Sequence, residues 1–192
     1  HRGKKAATLV TIHNLAYQGV FPPGTVVQLG LPAESFNMHG VEYYGNFSFL
    51  KAGLYYADHI TTVSPNYAEE IQTDNLGFGL QGLLAARKQH LTGIINGIDT
   101  REWNPATDRH LVKNYNNLNL PDKAANKHAL QQQMGLAPDP DIPLLGVVSR
   151  LNHQKGTDLL IQIAPQLVKL PAQLVVLGSD QAELEHQFST LV

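Results

Sequence analysis

The 192-residue sequence contains no cysteine, which excludes disulfides, thiolate metal sites and a cysteine nucleophile and is compatible with a reducing cytosol. Net charge is almost absent too. Fourteen Lys and Arg against sixteen Asp and Glu leave a formal charge of −2, so no basic footprint points to nucleic acid or to an anionic membrane surface. Long apolar runs are missing: the longest, at 143–148 and 174–177, fall far short of the roughly 20 residues a membrane-spanning helix needs. What is present is an ordinary globular share of apolar residues, 43%, enough to bury a core in one or two domains. The chain opens on His1 with no secretory or transit pattern, and it stops at Val192 inside a segment that reads as helical from near Gln181. Truncation at both ends is the expectation from such termini.

Residues 7–12 (ATLVTI) form a short apolar, β-branched run, read as a buried strand ending at His13-Asn14. Pro22, Pro23, Gly24 and Pro32 punctuate a long stretch read as irregular. Phe47, Leu50 and Leu54 recur at helical spacing and predict a helix over 47–56; residues 59–63 (HITTV) predict a second strand. Ser64-Pro65 then opens a helix, serine as cap and proline in the first turn. A helix over 81–89 and a third strand over 92–95, ending at Asn96-Gly97, complete the first half. Residues 99–119, rich in Asn, Asp, Arg and Thr, read as a connector, and the domain boundary is placed at its start, giving domains 1–98 and 99–192. A helix over 123–134, a strand over 143–148, a helix over 157–168 and a strand over 173–177 follow. Pro165 is expected to kink or interrupt its helix. Both halves alternate β and α, the pattern of doubly wound parallel sheets, whose ligands bind outside the carboxyl ends of the strands.

The chemistry is therefore sought just after each strand. Arg150 and Lys155 flank a strand-to-helix turn, Ser149–Gly156. Guanidinium, ammonium and the positive end of a helix together suit an anion such as phosphate; a solvated loop with two surface cations is the alternative. His13 and Asn14 place an imidazole and an amide at the mouth of the first strand, where they suit sugar hydroxyls or an atom with developing charge. Gly77-Phe78-Gly79-Leu80-Gln81-Gly82 matches G-x-G-x-x-G literally. However, no strand precedes it as a dinucleotide site requires, so it reads as a loop and helix start. The nine histidines show no zinc spacing, no nucleophile elbow or P-loop occurs, and Glu42, Asp58, Glu69 and Glu70 are scattered.

Six segments together resemble the glycogen/starch synthase family. They are T-I-H-N-L-A-Y-Q-G (11–19), F-L-K-A-G-L-Y-Y-A-D-H-I-T-T-V-S-P (49–65), G-F-G-L-Q-G-L-L (77–84), I-N-G-I-D-T-R-E-W-N-P-A-T-D (95–108), K-A-A-N-K-H-A-L-Q (123–131) and V-V-S-R-L-N-H-Q-K-G (147–156). They run in the family's order and cover nearly the whole chain. The resemblance implies a GT-B arrangement of two Rossmann-like doubly wound domains, each incomplete here. Residues 1–98 would be the back of the N-terminal, acceptor-side domain, and 99–192 the linker and front of the nucleotide-binding domain. It also implies a retaining hexosyltransferase of glycogen biosynthesis in the bacterial cytoplasm. That enzyme moves glucose from ADP-glucose to the non-reducing end of an α-1,4-glucan, with no metal or other cofactor. Arg150 and Lys155 would hold the donor diphosphate and stabilise departing ADP, His13 would sit against the transferred glucose, and Asn14 and Asn96 would lie on the sugar side. The choice of ADP- over UDP-glucose comes from the resemblance and not from any residue. The family's K-x-G-G-L loop and its later E-x7-E pair are not among these residues, so the expectation is an active parent and an inactive piece. Other readings are another GT-B sugar-nucleotide transferase, which shares the Arg–Lys loop but not the first two segments, a non-catalytic glucan-binding protein of the same fold, and an NAD-dependent oxidoreductase resting on 77–82.

Overall fold

The computed structural model describes residues 6–191. The chain divides into two compact units, His1–Ile98 and Asp99–Val192, and both are α/β.

The first unit contains β1 (Leu9–Ile12), β2 (Val20–Phe21), α1 (Thr25–Gln28), β3 (Glu42–Tyr43), β4 (Asn46–Ser48), α2 (Phe49–Tyr56), β5 (His59–Thr62), α3 (Pro65–Glu70), α4 (Gln81–Ala86) and β6 (Leu91–Gly93). Strands β1, β5 and β6 form a parallel sheet in that order. Its register sets Ile12, Thr62 and Gly93 in one row, so all three strands end at the same edge. Alternation sends Ile12 and Ile60 into a core shared with Leu15, Leu54, Ile71, Leu80 and Leu84. Leu9, predicted within a buried strand, is 63% exposed, because β1 is an edge strand whose alternate residues are uncovered by the described chain. Gly93 is dictated by close approach: a Cβ there would stand 2.1 Å from the Ser64 carbonyl oxygen.

The stretch expected to be irregular instead holds a small antiparallel sheet, β2-β4-β3. Its strands are two or three residues long, too short for a visible period, and Phe47 anchors them to a second core with Val26 and Val41. Phe47 and Ser48 thus belong to β4 and not to the following helix. Ser48 caps that helix by accepting from the Lys51 N–H at 3.1 Å. The third strand ends at Gly93, two residues before the expected position. Helix α4 ends at Ala86, short of residue 89, and a 3-10 turn at Lys88–His90 follows.

Helices α2, α3 and α4 have eight residues or fewer, below the length at which a helix is stable alone, so long-range contacts hold them. Arg87 donates to the carbonyls of Leu54 and Ala57 at 2.6 Å and to those of Tyr55 and Asp58 at 3.2 and 3.3 Å. One guanidinium thereby satisfies the C-terminal end of α2. Lys51, only 8% exposed, donates to the carbonyls of Met38 and Glu42 and ties α2 to the small sheet. Burial lowers its pKa, and the nearby Glu42 charge partly offsets this.

The second unit contains α5 (Lys123–Gln133), β7 (Leu144–Val148), α6 (Thr157–Leu167), β8 (Gln173–Leu177) and α7 (Ala182–Ser189). Strands β7 and β8 pair in parallel from Leu144↔Gln173 to Val148↔Leu177. Pro165 does not interrupt α6, which continues to Leu167. It lies within one turn of the end, where its missing N–H costs a single ladder bond. The Gln131 side chain, almost wholly buried, bridges α5 to β8 through Gln173 at 2.7 Å and also donates to the Asp139 carbonyl. No described helix is long and apolar enough to cross a membrane.

Replacing Arg87 with Ala should destabilise the first unit by about 2–3 kcal/mol, since several charge-assisted bonds go and buried carbonyls are left unpaired. Arg87→Lys should recover only part of this, because an ammonium cannot span the fork. Urea denaturation of the three proteins checks it, and equal stability of wild type and Arg87→Ala would refute the clamp.

Candidate functional site

Two groups of polar residues stand at the carboxyl edges of the two sheets, one in each unit.

In the first unit, His13 follows β1 directly and is exposed. Asn14 turns the chain away: its Oδ1 accepts from the Ala16 N–H at 3.0 Å. The loop is pinned to α3 by the Leu15 N–H, which donates to the Tyr67 hydroxyl at 3.0 Å. Ser64 stands at the same edge, but its Oγ accepts from the Tyr67 N–H at 2.9 Å as the cap of α3, so its polarity is used structurally. Asn96 lies three residues past Gly93, exposed in an extended segment that begins with the Ile94 N–H donating to the Thr62 carbonyl. The parallel register therefore brings His13, Asn14 and Asn96 to one edge of one sheet, with Asn96 set further out than a strand ending at residue 95 implies. Residues 77–80 form a loop after α3 and residues 81–82 begin α4, with no strand directly before them, which removes the dinucleotide-binding context.

In the second unit, the loop after β7 carries Arg150 and Lys155, both exposed. The loop is tied across to the one after β8: the Leu151 N–H donates to the Ser179 carbonyl, and the Gln181 N–H to the Leu151 carbonyl. A Cβ at position 178 would stand 1.8 Å from the Ser149 carbonyl oxygen, so only glycine lets the two loops meet. Asn152, buried, has a bond on each face. Its Oδ1 accepts from the Lys155 N–H at 3.1 Å, its Nδ2 donates to Asp180 at 2.6 Å, and its carbonyl accepts from the Thr157 hydroxyl at 3.0 Å. A single 3-10 turn, His153–Lys155, results, and Gly156 in the left-handed region (φ 69°) delivers the chain into α6. Lys155 is thus held two residues before the helix begins, with Gly156 between.

The helix end is less open to an anion than the sequence implied. Asp158, in the first turn of α6, has its Oδ2 3.2 Å from His153 Nδ1. Its pKa is lowered, first by the His153 hydrogen bond and further by the N–H groups of Asp158 itself and Leu159, against an opposing desolvation. The negative charge of this first-turn carboxylate therefore offsets part of the positive helix end that would otherwise face a ligand. Charge attraction in this loop falls mainly to Arg150 and Lys155. Among the described residues, no group of three or more His, Asp or Glu is placed to hold a metal.

Sequence reasoning found both cations from charge and position alone, and it missed Asn152, Asp180 and Asp158. Asn152 and Asp158 carry short-range signals, a capping residue and a first-turn acid. The Asn152–Asp180 bridge spans 28 positions and has none.

Residues 1–86 match the family described as starch synthase catalytic domain. The whole chain is 65% identical over 191 residues to the glycogen synthase of Nitrosomonas eutropha, of which it covers 38%. It is 63% identical over 191 residues to that of Nitrosomonas europaea, again across the full chain and 39% of the relative. Among solved structures, the catalytic domain of starch synthase IV from Arabidopsis thaliana bound to ADP and acarbose matches with a TM-score of 0.89. The identity is 33%, over 97% of this chain and 39% of that one. The chain thus spans about 38% of the length of the curated relatives it matches.

Two outcomes test the loop. Asn152→Ala should destabilise the second unit by about 2–3 kcal/mol, because cap and inter-loop bridge are lost together and the Asp180 contact is left open; thermal melts measure this. Asp158 has a depressed folded-state pKa, so its contribution to stability is present above the unfolded-state value and is lost as pH falls through the folded one. Stability should therefore be insensitive to this group near neutrality. Asp158→Asn should flatten the acid limb below about pH 4, and identical pH–stability curves for the two proteins would contradict it.

Proposed function

We propose, from this likeness to glycogen and starch synthases, that the full-length protein is a glycosyltransferase of glycogen synthesis. It moves glucose from ADP-glucose to the non-reducing end of an α-1,4-glucan with retention at the anomeric carbon. The observation that carries the reading is the braced loop after β7, which holds Lys155 two residues before α6 and Arg150 two residues past the strand's end.

The roles follow from charge. When the bond from glucose to the diphosphate breaks, negative charge grows on the departing ADP. A guanidinium and an ammonium held near that diphosphate lower the barrier more than they tighten donor binding, since the charge is greatest as the bond breaks. In this reading the two side-chain cations provide the compensation that a divalent ion provides elsewhere, so no metal is required. His13, exposed at the edge of the other sheet, serves the transferred glucose by hydrogen bonding, and Asn14 and Asn96 at the same edge serve its hydroxyls. A charged nucleotide sugar does not cross a bilayer unaided, which places the reaction in the cytoplasm where the donor is made.

Labelled glucose should pass from ADP-glucose into glycogen when the full-length protein is supplied with both. Lys155→Ala should lower kcat by about 10²–10³, the cost of removing one transition-state charge contact. Undiminished transfer by Lys155→Ala would overturn the assigned role. A wild-type protein inert toward every nucleotide-glucose would favour a non-catalytic glucan-binding protein.

A further inference from the structure

The segment that carries Asn96 past the sheet edge holds a second chemistry. Asn96 is the only asparagine of the sequence that is followed by glycine. Both Asn96 and Gly97 are exposed and lie in neither helix nor strand. Ile95 and Ile98 on either side are 73% and 71% exposed, so the described chain does not pack this stretch of backbone.

Asparagines elsewhere are tied down. In Asn14, Asn104 and Asn116 the Oδ1 accepts from the N–H two residues on, at 3.0, 3.0 and 2.8 Å, which locks the side chain to the backbone that follows it. Asn152 is buried with a bond at each side-chain atom. At Asn96, neither the side-chain amide nor the Gly97 N–H has a hydrogen-bond partner among the described residues. Local bonding resumes at Asp99, whose Oδ1 accepts from the Arg101 and Glu102 N–H groups at 2.9 and 3.2 Å. The fold does not require the glycine either. A Cβ at position 97 would meet nothing within 4 Å beyond its chain neighbours, and the residue does not have positive φ.

We propose that Asn96 is a site of self-modification, at which the side-chain amide is lost to the Gly97 backbone and then to water. The Gly97 nitrogen gives up its proton to solvent base and attacks Asn96 Cγ. The new N–Cγ bond closes a five-membered succinimide. The Cγ–Nδ2 bond breaks, and Nδ2 takes up a proton and leaves as ammonia. Water then opens the ring. Attack at Cγ yields aspartate, and attack at the main-chain carbonyl yields an isoaspartyl link, with no change of oxidation state in either. Proximity within one chain drives the closure. Glycine favours it because no Cβ crowds the attacking nitrogen and the backbone can swing to meet Cγ. Hydrogen bonds that would hold the two groups apart are missing at this position alone among the asparagines described above.

The position gives the change a consequence. Asn96 stands at the same sheet edge as His13 and Asn14. An amide both donates and accepts, whereas a carboxylate only accepts and carries a negative charge. An isoaspartyl link also adds a methylene to the main chain. Either product removes a donor from sugar hydroxyls and sets a charge near an anionic donor substrate, so conversion lowers glucose transfer. This consequence rests on the role proposed for Asn96 above, and the conversion itself does not.

The test is a peptide map of the full-length protein stored in mildly acidic and in mildly alkaline buffer, with glucose transfer assayed alongside. Trypsin releases residues 89–101, in which Asn96 is the sole asparagine. That peptide should give way to two products of equal mass, heavier by the difference between an amide and a carboxylic acid. It should do so faster in alkaline buffer, while the peptide that contains Asn152 stays unchanged. Gly97→Ala, for which the fold has room, should slow the conversion about tenfold or more. Transfer should fall in step with conversion in wild type and hold in Gly97→Ala. An unchanged 89–101 peptide in alkaline buffer, or equal rates in wild type and Gly97→Ala, overturns the site; if Gly97→Ala does not fold, conversion of wild type no faster in alkaline buffer overturns it. Conversion without loss of transfer overturns the consequence. Fresh wild type that transfers no glucose overturns the proposed function, and the peptide map still decides the modification.

Discussion

Parallel pairing governs this molecule. Two parallel strands cannot be joined by a tight turn, so after each strand the chain must leave the sheet, cross it and return to the same starting edge. Every strand then ends on one side. In the first unit this sets Ile12, Thr62 and Gly93 in a row, and in the second it sets Val148 beside Leu177. His13 and Asn14, the Asn96 segment, and the Arg150–Lys155 loop reach their edges for that reason and no other. The crowding it creates is resolved alike in both units. Where a neighbouring loop passes over the end of a strand, a glycine removes the Cβ that would strike the Ser64 or the Ser149 carbonyl.

The crossings themselves are short helices that cannot stand alone, and polar side chains from distant parts of the sequence finish their ends. Arg87 closes α2 across about thirty positions, Lys51 joins α2 to the small sheet, and Gln131 joins α5 to β8. Each is a long side chain whose stem lies in the core while its head meets backbone carbonyls or an amide. Such groups rigidify because their alternative is an unpaired polar atom away from water. The same arrangement at Asn152 holds a loop instead of a helix, and it is what gives Lys155 a defined place.

The parts of the fold legible in the sequence are those coded by neighbours. The strands at β1, β5, β7 and β8 are β-branched or apolar runs bounded by polar turns, and α3 begins at a serine and proline that cap it as expected. The parts that were not legible depend on partners far along the chain. Strands β2, β3 and β4 exist because Phe47 finds Val26 and Val41; two-residue strands carry no period of their own. The expected helix ran through Phe47 because a strand feeding straight into a capped helix leaves no break in the apolar pattern. Pro165 was read without its distance from the helix end. At the candidate site, Arg150, Lys155, His13 and Asn14 stood out by residue type after a strand. Asn152 and Asp180 are an ordinary amide and acid until the folded chain shows what each one touches.

Asp158 shows why that distinction matters to function. Charge counting makes the β7–α6 loop a strong anion site, with two cations and a helix terminus adding together. The folded chain subtracts from this, since Asp158 sets a negative charge in the first turn of α6, with its Oδ2 3.2 Å from His153 Nδ1. A carboxylate in an anion loop weakens ground-state binding of an anion, and for the transferase proposed above that is no defect. Uniform tightening of donor and transition state would leave the barrier from the bound complex unchanged. Under that proposal, positive charge on the Arg150 and Lys155 side chains acts most strongly where the leaving group's charge grows. The Asp158–His153 contact ties the first turn of α6 back to the loop. The loop is therefore built to hold its cations in place first and to attract an anion second.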